Sequence, residues 1–91
     1  MSMFEWDERK RLRNLEQHGV DFRLAVEIFR GDVIEAPDER RDYRERRFRA
    51  LGLVDDDYYM VVYTWRGAAR RIISAWKVGD DGRRRYQAIL S

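Results

Sequence analysis

The sequence has no cysteine, one histidine and one proline, and its six glycines stand apart from one another. Without cysteine there is no disulfide framework, no thiol nucleophile and no thiolate metal centre. A single histidine, His18, rules out a multi-histidine metal site, so no metal or other cofactor is expected. Scattered glycines exclude a glycine-rich phosphate loop. No apolar run approaches the ~18 residues of a membrane span, and the opening MSMFEWDERK lacks the apolar stretch of a signal peptide. A cytoplasmic protein without membrane contact is the expectation. Lysine is scarce too: Lys10 and Lys77 are the only two among 19 basic residues, and the rest are arginine.

What is present in excess is charge. Asp, Glu, Lys and Arg make up 40% of the chain, against about a quarter in an average domain. The net charge is only +2, but it is unevenly spread: residues 1–39 carry 6 basic and 10 acidic groups, residues 40–91 carry 13 and 7. The second half is therefore the half suited to an anion. Ninety-one residues, 44% of them hydrophobic, suffice for one domain, 1–91, with one modest core.

The pattern along the chain predicts an α+β fold. MFEW is a short edge strand, and Asp7 caps a helix from about Glu8 to His18 that Gly19 closes in the left-handed region. Asp21 caps a second helix, FRLAVEIFR, with Phe22, Ala25, Val26 and Phe29 on one face. After Gly31 the period becomes that of strands: VIEAP up to Pro37, then RFRALGLV, YYMVVYTW and RRIISAWKV, with DERRDYRERR as a polar loop. Asp80 and Asp81 open a last helix, GRRRYQAIL. The predicted order is β-α-α-β-β-β-β-α, with helices packed on an antiparallel sheet.

Several groups are suited to phosphate chemistry. Arg40, Arg41, Arg44, Arg46, Arg47 and Arg49 fall within ten residues, and arginine offers a permanently charged fork to phosphate. Strict alternation places Arg71, Ile73, Ala75 and Lys77 on one face of their strand, and Ile72, Ser74, Trp76 and Val78 on the other. Arg47 and Arg49 share a face of theirs, so Arg47, Arg71 and Lys77 are expected to converge on one sheet surface. His18 forms a helical stripe with Lys10 and Asn14, and histidine is the side chain that titrates near neutrality. It also sits where a helix C-terminus favours positive charge. Tyr86 follows three arginines that would lower its phenol pKa; with Ile89 it equally forms an apolar stripe that docks the helix. Trp76 is suited to stacking a nucleobase or to packing on a partner protein.

The residues F-E-W-D-x-x-K-x-x-x-N-x-x-x-H-G-V at 4–20, F-x-x-A at 22–25, R-F-x-A-L-G at 47–52, V-V-Y-T at 61–64, R-I-I-S-A at 71–75 and R-R-x-Y at 83–86 resemble the BrnT family. These are ribonuclease toxins of bacterial type II toxin–antitoxin pairs. The resemblance implies a RelE-like fold, cleavage of RNA without a metal, and a BrnA-like antitoxin with a ribbon-helix-helix DNA-binding domain. Operator DNA would then be met only through the antitoxin, and either a homodimer or a hetero-oligomer is compatible with such a toxin. On this reading Arg47, Arg71 and Lys77 hold the scissile phosphate, and Tyr86 or His18 moves the proton. Lys10, Arg49, Arg70, Trp76 and Arg83 bind the flanking RNA.

Two positions depart from the family pattern: Trp76 stands where an arginine is common, and Gly82 where a glutamate is frequent. They suggest an alternative, a catalytically weakened relative that keeps antitoxin binding. Charge alone suggests another, a nucleic-acid-binding module without chemistry.

Overall fold

The computed structural model describes residues 3–40, 42 and 44–90; Arg41 of the arginine run lies outside them. A short strand, β1 (Phe4–Trp6), stops at Asp7, whose carboxylate accepts the Arg9 N–H at 2.8 Å and so opens helix α1 (Glu8–His18). Gly19, at φ 68°, ends α1 in the left-handed conformation that the sequence predicts. Asp21 repeats the device for α2 (Phe22–Ala25), accepting the Arg23 N–H at 2.9 Å.

The second helix is shorter than expected. After one α turn it tightens into a 3-10 segment, Val26–Arg30. Packing dictates the change, because this segment lies directly on the sheet at Gly52. A Cβ built on Gly52 would stand 2.6 Å from the Ile28 Cβ, so only a glycine admits the contact. The chain then forms β2 (Ile34–Pro37), β3 (Phe48–Val54), β4 (Asp57–Arg66), β5 (Ala69–Lys77) and α3 (Asp80–Leu90).

The five strands make one sheet in the order β1-β5-β4-β3-β2. It is mixed rather than wholly antiparallel: β1 pairs with β5 in parallel, while the other neighbours are antiparallel. The connection from β1 to its partner runs through most of the chain, which is why no local signal in the sequence announces the parallel pair. Phe22, Ala25 and Ile28 bury one face of the sheet, against Ala50, Tyr59, Val61, Tyr63, Ile72 and Ala75. We term this the rear face and the opposite one the front face.

One irregularity governs the placement of everything on β5. Tyr63 is opposite Ile72 but Val62 is opposite Ser74, so Ile73 is an extra residue, a β-bulge. Such a residue reverses the side on which the following side chains emerge. Ile72 and Ala75, three apart, therefore both enter the rear core. Asn14 of α1 secures the strand just beyond the bulge. Its amide donates to the Ala75 carbonyl at 2.7 Å and to the Val20 carbonyl at 2.9 Å, and its oxygen accepts the Ala75 N–H at 3.1 Å. The helix thereby takes over the edge of β5 where β1 ends.

Candidate active site

Residues that pair across a sheet share a face, so the register sorts the sequence-predicted groups. Arg71 is opposite Thr64, Ser74 opposite Val62, and Trp76 opposite Met60, which puts all three on the front face. Arg49 is also opposite Val62 and joins them there. Lys77 is opposite Tyr59 and lies on the rear. The expected convergence of Arg47, Arg71 and Lys77 therefore fails at Lys77. Strict alternation fails at Ile73, and Arg71 and Lys77 emerge on opposite sides.

Each of these cations has its own surroundings. Lys77 pairs with Asp57 at 3.0 Å, and the hydrogen bond to that carboxylate raises its pKa. Arg71 pairs with Glu5 at 3.0 Å across the parallel strands. Arg47 lies before β3 among Asp38, Glu39, Asp42 and Glu45, the last 3.6 Å away. Arg70, on the rear, stacks between Phe29 and Trp65, its guanidinium carbon 4.2 and 4.6 Å from the two ring centres, and donates to Glu35 at 3.3 Å. Arg83 is exposed on α3, beside Asp80 and Arg84.

Tyr86 also differs from expectation. Its pKa is raised rather than lowered, first by burial and then by the neighbouring Asp32 and Tyr58. Its hydroxyl donates to the Asp32 carbonyl at 2.8 Å, and its ring meets Tyr58 edge-on at 5.1 Å. Those contacts dock α3 on the sheet, the second of the two roles its position allows.

Lys10 and His18 do come together. With Arg13, Asn14, Gln17, Ile73 and Ser74 they line a recess of about 450 Å³ between α1 and the bulge of β5. Arg13 and Ser74 are the members that sequence reasoning missed. Arg13 is one helical turn from Lys10 and Gln17 and was legible from that spacing. Ser74 reaches the recess only because of the bulge, which no spacing reveals. The charged lining is cationic, with one imidazole, one serine hydroxyl and a buried amide beside it.

The loop between β2 and β3 closes the other side of the front face. The Thr64 hydroxyl donates to the Arg46 carbonyl at 2.6 Å, and the Arg40 guanidinium carbon lies 5.5 Å from the Trp76 ring centre. Among the described residues no group of His, Asp and Glu gathers as metal ligands do, and no helix is long and apolar enough to cross a membrane.

The family described as "Ribonuclease toxin, BrnT, of type II toxin-antitoxin system" matches residues 6–89. The crystal structure of the Brucella abortus ribonuclease toxin BrnT superposes with a TM-score of 0.64 at 27% identity, covering 85% of this chain and 96% of that one. No curated protein sequence gives a match.

Proposed function

The chain belongs to the BrnT family, the ribonuclease toxins of type II toxin–antitoxin systems, and from that premise we propose where and how it cuts RNA. RNA is its substrate and an antitoxin is its partner. The cut is made at the recess between α1 and β5, where Lys10 and Arg13 hold the scissile phosphate. His18 takes the proton of the 2′-hydroxyl as that oxygen attacks phosphorus. The bond from phosphorus to the 5′ oxygen breaks, and the imidazolium returns the proton to the leaving oxygen. The two cations stabilise the charge that builds on the phosphoryl oxygens. Arg71 and Arg49, farther along the front face, receive neighbouring phosphates.

The observation that carries this reading is that the chain's one histidine shares a recess with Lys10, Arg13 and Ser74. A cationic lining attracts phosphate and repels a divalent ion, so the reaction proceeds without a metal. The antitoxin is of the ribbon-helix-helix type and covers this face in a cytoplasmic hetero-oligomer, and operator DNA is met through it.

The test is cleavage of single-stranded RNA by the purified protein in EDTA, with the product ends identified. Fragments ending in 2′,3′-cyclic or 3′ phosphate are expected. Activity that disappears on chelation and returns with magnesium would refute the metal-free route.

A further inference from the structure

We propose that Arg40 and Trp76 form a nucleobase-stacking subsite on the front face, next to the recess. The proposal rests on the recess being the place of cleavage, and it adds the feature that receives a base of the bound RNA. The Trp76 ring lies 6.2 Å from that of His18, tilted by 41°, so anything stacked here belongs to a nucleotide close to the scissile bond. Arg40 lies over the indole with its guanidinium carbon 5.5 Å from the ring centre.

What holds Arg40 there is Asp38. The Asp38 side chain is 0% exposed, and its carboxylate accepts from Arg40 Nε at 2.7 Å and from Nη2 at 2.9 Å. A buried carboxylate is unfavourable unless it is paired and hydrogen-bonded, so the pair fixes the guanidinium in one orientation. Part of the donor edge of the guanidinium is thus committed to Asp38, and its charge is largely balanced. Arg40 is on these grounds a poor phosphate ligand. Its side chain is nevertheless 45% exposed, beside a Trp76 ring that is itself partly exposed. A planar cation backed by an indole suits a planar π system, and among the parts of RNA that is the base. Purines, with the larger ring surface, fit it better than pyrimidines.

The experiment measures binding of uncleavable 2′-O-methyl oligonucleotides by fluorescence anisotropy. A run of adenines is compared with an abasic backbone of the same length. The wild-type protein is expected to bind the adenine strand about ten-fold more tightly or better, the range of one stacked base. Trp76→Ala and Arg40→Lys, which keeps a cation beside Asp38 but removes the planar guanidinium, are expected to bring that preference to within about two-fold, and Trp76→Phe to retain most of it. A wild type without preference, or a preference that survives in both Trp76→Ala and Arg40→Lys, overturns the subsite. So does a preference that survives while neutralisation by the antitoxin is lost, which would assign the patch to protein contact. Should Trp76→Ala fail to fold, Arg40→Lys, which keeps a cation beside the buried Asp38, decides alone. Cleavage by Lys10→Ala and His18→Ala is measured alongside: unchanged cleavage there refutes the recess as the place of cleavage and leaves the base preference to stand or fall separately.

Discussion

Asn14 couples the two halves of the proposed site through one amide group. It satisfies the N–H and carbonyl of Ala75 and the carbonyl of Val20, all in a setting where the asparagine is buried. Removing it leaves buried backbone groups without partners, each worth about 1–3 kcal/mol. Asn14→Ala is therefore expected to lower unfolding stability by about 3 kcal/mol, read from urea denaturation, and to reduce cleavage because α1 loses its grip on the bulge. Asp21 plays a comparable part at the start of α2. Its hydrogen bonds with Arg23, foremost, hold its carboxyl at about 2 instead of the ordinary 3.8, and Arg11 adds to the effect. A carboxyl depressed in the folded state contributes its stability above about pH 4 and loses it as the pH falls through about 2. Asp21→Asn should then be less stable than wild type by about 1 kcal/mol at neutral pH. The gap should narrow between pH 4 and pH 2. Urea midpoints across that range check it; a constant gap would contradict it.

Among the elements, those with local causes were legible in the sequence. The caps Asp7, Gly19 and Asp21 act within four residues of themselves, and the α1 boundaries from Glu8 to His18 follow from them. The hydrophobic period located β2 to β5 for the same reason. The bulge at Ile73 was not legible, because RRIISAWKV carries no glycine or proline to mark it and the extra residue exists only in the pairing with β4. That single feature separates Arg71 from Lys77, joins Trp76 to Arg71, and brings Ser74 to the recess. The acidic surroundings of Arg47 and the aromatic stack over Arg70 were hidden likewise, since they are contacts between distant segments. Gly82 has a local explanation: a Cβ there would lie 2.9 Å from the Val78 Cβ, so α3 begins directly over that valine. The tighter contact is at Gly52. Gly52→Ala forces a methyl against Ile28, and overpacking of this kind costs about 1–3 kcal/mol. A melting temperature equal to that of wild type would show that the 3-10 segment yields more readily than the packing implies.

For the molecule as a whole, the sheet separates two kinds of surface. On the rear, α2 and the 3-10 segment cover the strands, Arg70 is stacked between aromatic rings, and Lys77 is paired with Asp57. On the front, α1 and the loop after β2 leave between them a strip that holds Arg49, Arg71, Ser74 and Trp76, with the cationic recess at its edge. The basic excess of the second half is therefore not the whole of the proposed active surface, because Lys10, Arg13 and His18 come from the acidic first half. The central claim is that cleavage takes place at this recess and not at the arginine-rich segments alone. The measurement that bears on it most directly is the initial rate of cleavage of one RNA in EDTA by wild type, Lys10→Ala and Lys77→Ala, each shown to be folded by circular dichroism. Lys10→Ala is expected to lose about a hundred-fold in rate, as when a preorganised donor is removed, and Lys77→Ala to stay within about two-fold of wild type. A full rate in Lys10→Ala together with a collapse in Lys77→Ala would place the chemistry on the opposite side of the sheet and contradict the account.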